Sequence, residues 1–115
     1  MHEYSVVQAL YEKVAAEAAA RHAKSVHAVR VRIGELSGIE IELLETAWNT
    51  FRVRTVCDAA SIEVERVPAE WVCVSCAAAV PKGGVLTCRR CGGPARLAAG
   101  DEIVLRQIDM EVGDV

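Results

Sequence analysis

Aromatic side chains are scarce in this 115-residue chain: two Tyr, two Trp and one Phe, 4% of the sequence. Its core must therefore be aliphatic and rich in alanine. No apolar run reaches the length of a membrane span. The N-terminus carries Glu3 and Glu12 and lacks the basic-then-apolar order of a secretory signal, so a cytoplasmic protein is expected. Positive charge is not in excess: the formal net charge is −3, which argues against a dedicated nucleic-acid binder. There is no internal repeat, no low-complexity tract, no glycine-rich phosphate loop and no Ser/His/Asp arrangement. An enzyme is not expected. Apolar residues make up 52% and charged residues 25%. This balance suits one packed domain, or a small domain carrying a smaller module.

Four of the five cysteines form a pattern. Cys73-x2-Cys76 is followed, after eleven intervening residues, by Cys88-x2-Cys91. Two cysteines separated by two residues turn both sulfurs toward one ion, and two such turns supply four thiolates. In a reducing compartment this reads as a metal site rather than as disulfides. A closed tetrahedral shell of Cys73, Cys76, Cys88 and Cys91 has no open position, so zinc there would be structural. The competing readings are a rubredoxin-like iron centre and two redox dithiols. Pro81 and Gly83-Gly84 suit a hairpin that brings the pairs together, and Gly92-Gly93 a tight exit turn. Cys57 lies outside the pattern and reads as a small buried hydrophobe. Lys82, Arg89, Arg90 and Arg96 lie between Trp71 and Gly100 with no acidic residue among them. Four thiolates and one zinc ion leave two net negative charges, which Arg89 and Arg90 would offset. No aromatic interleaves with these basic residues as a nucleic-acid stacking surface would require.

The rest of the chain reads as alternating elements. Residues 3–23 suit an amphipathic helix, with Val7, Leu10, Tyr11, Val14 and Ala18 at three- and four-residue steps and a Glu17–Arg21 pair. Residues 26–34 switch to period two, with Val29, Val31 and Ile33 opposite Arg30 and Arg32. Ser37 followed by Glu40 suits a capping box opening a helix to about residue 53, with Ile41, Leu44, Trp48 and Phe51 on one stripe. Residues 61–67 form a second alternating strand stopped by Pro68. Residues 102–112 form the last, with Ile103, Leu105 and Ile108 as candidate buried positions. The fold class expected is α+β: two helices on one face of a small three-stranded sheet, with an inserted zinc-ribbon-like module. The module takes residues 68–100 and the main domain residues 1–67 plus 101–115. The crossings near Pro68 and Gly100 are candidate hinges.

The opening Met1-His2-Glu3 carries its own chemistry. A histidine at position two places its imidazole, its amide nitrogen and the terminal amine in five- and six-membered chelate rings around one ion. Nitrogen-rich planar or tetragonal sets suit Ni(II) or Cu(II). The bland alternative is a solvated end residue. Met1-His2-Glu3-Tyr4-Ser5, the Ile33-Gly34-Glu35 strand end and the four late cysteines, taken together, resemble the HypA/HybF family of nickel metallochaperones. The resemblance spans essentially the whole chain.

That resemblance implies an N-terminal nickel-binding domain and a four-cysteine zinc domain. It implies delivery of Ni(II) to the large subunit of [NiFe]-hydrogenase together with the GTPase HypB, with no nucleic acid and no membrane involved. The nickel ligands carried over are His2 (side chain and amide), Glu3 (amide) and the Met1 amine. Glu40 stands where some members add an acidic side chain, in competition with its capping role. The zinc ligands carried over are Cys73, Cys76, Cys88 and Cys91. No histidine flanks the Cys pairs, so ligand exchange at zinc is not expected, and His22 and His27 read as surface residues. The main rival is a zinc-ribbon adaptor that binds nucleic acid or protein through Lys82, Arg89, Arg90 and Arg96. A rubredoxin-like electron carrier would leave the helical domain without a role.

Overall fold

The computed structural model describes residues 2–113, with His2 described by its backbone alone. The elements are α1 (His2–Ala20), β1 (Ala23–Gly34), α2 (Ile41–Phe51), β2 (Ser61–Val67), β3 (Glu70–Cys73), β4 (Ala79–Val80), β5 (Ala95–Ala99) and β6 (Ile103–Val112). The chain divides into two compact units. The first comprises residues 1–32, 39–65 and 104–115, and the second residues 33–38 and 66–103.

In the first unit, α1 packs on α2. The three-stranded sheet runs in the order β2-β1-β6. The expected apolar steps of α1 are its buried face: Val7, Leu10, Val14 and Ala18. Helix α1 ends three residues earlier than the pattern suggests. His22 turns the chain left-handed at φ 52, a conformation common just past a helix end, and β1 starts directly after it. The middle strand β1 buries Val26, Ala28, Val29, Val31 and Ile33. Its alternation slips at Ala28–Val29, where two successive residues are buried. Leu44 and Trp48 of α2 complete the core, and the Trp48 indole N–H donates to the Ala60 carbonyl at 3.0 Å. Phe51 lies between Tyr4 and Tyr11, with ring centroids 5.7 and 5.1 Å away. The polar residues of the sheet form ion pairs across the strands. Arg30 meets both Glu63 and Asp109, and Glu65 meets both Arg32 and Arg106. The Arg30 hydrogen bond and charge help hold Asp109 below the usual carboxylate range, after the larger effect of the Gln107 side-chain amide.

Two expectations fail here. Ser37 does not open α2: it lies in a turn, and the N-cap is Glu40, which makes no side-chain capping bond. The capping box is replaced by a contact from elsewhere in the unit, described below. The candidate buried positions of the last strand are also more open than expected, with Ile103 exposed and Leu105 and Ile108 half-buried. The reason is position: β6 is an edge strand, covered by a neighbour on one side only.

The second unit is built on a small sheet of order β4-β3-β5. Both pairings are antiparallel, with Trp71 opposite Val80 and Cys73 opposite Ala95. Residues 33–38 belong to this unit and are laced to it by backbone bonds. Gly34 N–H donates to Glu102 O, Glu35 N–H to Val67 O and Leu36 N–H to Gly100 O, at 2.6–2.8 Å. Gly34 must be glycine, because a Cβ there would sit 2.3 Å from the Gly100 backbone. Gly100 has φ 111, and a Cβ on it would meet Ala69 Cα at 2.5 Å. The backbones at the two expected hinge positions, near Pro68 and Gly100, thus pack closely on each other.

Candidate metal centres

Each Cys-x2-Cys pair folds into the same knuckle. In the first, Cys73 N–H donates to Ala78 O and Ala77 N–H to Cys73 O; in the second, Cys88 N–H donates to Gly93 O and Gly92 N–H to Cys88 O. The residue after each second cysteine is left-handed: Ala77 at φ 61 and Gly92 at φ 76. Fifteen positions apart, two unrelated stretches of sequence thus make one local shape. The shape follows from the need to aim two sulfurs at one point.

The sulfurs converge. Cys73 Sγ lies 3.4 Å from Cys91 Sγ, Cys76 Sγ 3.7 Å from Cys88 Sγ, and Cys76 Sγ 3.8 Å from Cys91 Sγ. All four fall within 4.8 Å of one another. Four thiolates placed tetrahedrally about 2.3 Å from one ion would be about 3.8 Å apart. The set therefore fits a closed four-thiolate shell, and its spacings are too long for disulfide bonds.

The backbone is arranged for thiolates. Each of Cys73, Cys76, Cys88 and Cys91 accepts a hydrogen bond from an N–H two residues on. The first cysteine of each knuckle also accepts the N–H of its partner cysteine. That bond from Cys76 is the largest influence drawing the Cys73 thiol down to about 6, and the Cys91 and Arg90 amides draw Cys88 down. The expected role of Arg90 in balancing charge is thus played in part by its backbone N–H, 3.3 Å from Cys88 Sγ. Gly93 backs onto the cluster so closely that a Cβ would sit 3.1 Å from Cys73 Sγ. Of the expected basic residues, Lys82 is bound to Glu35 at 2.7 Å. Glu35 also accepts the Ala69 N–H, and that bond, then Lys82, holds its carboxyl below the ordinary carboxylate range. Cys57 is fully buried in the first unit, where burial pushes its thiol up to about 11. It is no ligand of the cluster.

The other candidate site begins at the first residue of α1. Met1 lies outside the described residues, as does the His2 side chain. The backbone shows that α1 starts at His2. The first four amides of a helix have no carbonyl partner within it. His2 and Glu3 are the first two residues of α1. Glu3 itself is buried, 7% exposed. Its Oε2 accepts the Glu40 N–H at 3.2 Å. His22 is exposed, and His27 lies 3.6 Å from Glu111. Neither approaches a metal-binding cluster among the described residues. The sequence reading missed the Glu3–Glu40 contact, the Glu35 bonds and the close approach of Gly93, because each joins residues far apart in the chain. The doubled glycine at 92–93 was the one local sign of any of them.

Comparison with known proteins adds the family. The sequence profile described as "Hydrogenase/urease nickel incorporation, metallochaperone, hypA" matches residues 1–110. The chain belongs to the HypA family. A "Hydrogenase maturation factor HypA" from Wolinella succinogenes is 39% identical over 117 residues, covering 99% of this chain and 98% of the relative. One of the same name from Nitrosospira multiformis is 37% identical, covering 96% and 97%. Among solved structures, the solution structure of the Ni metallochaperone HypA from Helicobacter pylori superposes with a TM-score of 0.72 at 28% identity, covering 98% of this chain and all of that one. A second, titled "Solution structure of HypA protein", gives 0.78 at 29% identity, covering 96% of each chain. This HypA-family chain is accordingly a nickel-incorporation metallochaperone of hydrogenase maturation and not an enzyme. None of its described helices is long and apolar enough to cross a membrane.

Proposed function

We propose that the chain captures Ni(II) at its N-terminus and passes it, in the cytoplasm and together with the GTPase HypB, to the large subunit of [NiFe]-hydrogenase. Nickel is the cargo. Its donors are the His2 imidazole and amide, the Glu3 amide and the Met1 amine, with Glu40 as a further acidic ligand. Zinc is the resident metal, held by Cys73, Cys76, Cys88 and Cys91, where it closes the second unit and takes no part in transfer. Residues 1–67 with 101–115 handle nickel, and residues 68–100 carry zinc.

The observation that supports the nickel site best is the start of α1 at His2. Amides at that position bind a metal without breaking any helical hydrogen bond. The negative charge they take on deprotonation is favoured by the helix dipole. Because imidazole and amide protons must leave, nickel affinity should fall as pH drops. A donor set at the very end of a chain holds its ion and also lets a partner reach it.

The test is a nickel titration of tag-free, zinc-loaded protein beside His2→Ala, with total zinc assayed in both. One Ni(II) site lost in the variant, with one zinc per chain kept in each, is expected. Equal nickel binding by both proteins would instead favour the adaptor reading.

A further inference from the structure

We propose that the Glu3 side chain is a positioning residue for nickel capture: it docks the first turn of α1 onto the start of α2 and does not itself bind the metal. The proposal rests on the reading of the N-terminus as the nickel site. An acidic residue in a first helical turn normally points into water and gains from the helix dipole without a fixed contact. Glu3 is different, since only 7% of it is exposed. Burying a carboxylate is unfavourable unless donors replace its water. One such donor is the Glu40 N–H, 3.2 Å from Oε2 and thirty-seven residues away in sequence. Glu40 is the N-cap of α2 and makes no side-chain cap bond of its own. Glu3 therefore supplies to α2, from another helix, an acceptor at the end where the dipole favours an anion.

The same residue offers its backbone amide to the metal. With its side chain fixed, the freedom of the donor amides at residues 2 and 3 is reduced before any ion arrives, and less ordering remains to be done on binding. The dock also holds residue 40 close to the N-terminal turn, within reach of a site that would use an acidic ligand there. A buried carboxylate that accepts the Glu40 N–H is held against the start of α2, so its contribution comes through placement.

The experiment compares wild type, Glu3→Gln and Glu3→Ala as zinc-loaded full-length proteins. Three quantities are read: Ni(II) affinity, the position of the absorption band of bound nickel, and amide hydrogen exchange at Glu40 without nickel. Glu3→Ala should lose about 10–100-fold in nickel affinity, the usual cost of removing a group that orients metal ligands. Its absorption band should stay in place, and the Glu40 amide should exchange faster. Glu3→Gln, whose amide oxygen can accept the same N–H, should keep wild-type affinity and exchange. If Gln weakens nickel as much as Ala and moves the band, the carboxylate is a ligand and the proposal is overturned. Unchanged Glu40 exchange in Glu3→Ala overturns it as well. Failure of His2→Ala to affect nickel would sink the N-terminal site and with it the nickel role of Glu3, while the exchange rates would report separately on the dock.

Discussion

The two units are held together in opposite ways. The first buries a continuous set of aliphatic side chains from α1, α2 and β1 around the fully buried Trp48. Among its described residues the second has a small buried cluster of Cys73, Val80 and Cys88, with Trp71, Ala78, Leu86 and Ala95 packed partly against it. Two of those three buried residues are metal-ligand candidates. A segment of this size with so little apolar burial does not reach stability through its core, and small domains of this kind use metals instead. One chain thus contains a unit with an aliphatic core and another centred on four converging cysteines.

The largest expected effect tests that contrast directly. Stripping the metal with a strong chelator should unfold the second unit, because structural zinc supplies about 10–16 kcal/mol of apparent folding energy in comparable modules. The chain has one tryptophan in each unit, Trp48 and Trp71. Fluorescence of Trp48→Phe and Trp71→Phe variants separates them. Trp71 emission should shift to the red on chelation and Trp48 emission should hold. Movement of both together would mean that the first unit depends on the metal too.

The converse perturbation is Trp48→Ala. Emptying that site should cost about 3–5 kcal/mol, and it also strips the Ala60 carbonyl of its donor. Thermal melts should show the first unit destabilised while zinc content stays at one per chain. A smaller effect is expected at Gly93, where an alanine Cβ would press on Cys73 Sγ and Ser75 Oγ at 3.1 Å. Gly93→Ala should weaken zinc by about tenfold in competition with a chromophoric chelator. Gly92→Ala, facing open space, should show only the strain of its positive φ, about 1–2 kcal/mol. Ala77 already bears that strain in the equivalent place. The smallest effect concerns Glu35. Its carboxyl is held low, so its contribution is complete above the unfolded-chain value of about 4.3 and is lost as pH falls through the lower folded value. The difference in stability between wild type and Glu35→Gln should shrink across that acid range. A difference that is constant with pH would show that neither the Ala69 bond nor the Lys82 contact favours the charged carboxylate.

The features legible in the sequence were those with a short period or a short spacing. The steps from Val7 to Ala18 and the alternation over residues 61–67 appear as one helix and one strand, and the Cys-x2-Cys pairs as one cluster. The features that were not legible join distant residues. Ser37 and Glu40 have the spacing of a capping box, yet the acceptor that α2 receives comes from Glu3. Gly34 looks like a strand terminator, and its actual constraint is the backbone of Gly100. Ile103 fits the alternation of a buried strand, but no pattern within β6 tells that it lies at an edge. Local periodicity records what a residue prefers; which partner satisfies it is decided by the fold.

The strand order β2-β1-β6 has a consequence for the birth of the molecule. The central strand is the first to leave the ribosome, and one of its two neighbours is the last. At synthesis rates of about 5–20 residues per second, the interval between β1 and β6 is on the order of several seconds. Through that time β1 has an unfilled flank, and residues 33–38 await the segment that will claim them. A chain cut short before residue 103 would therefore leave the central strand with one flank open.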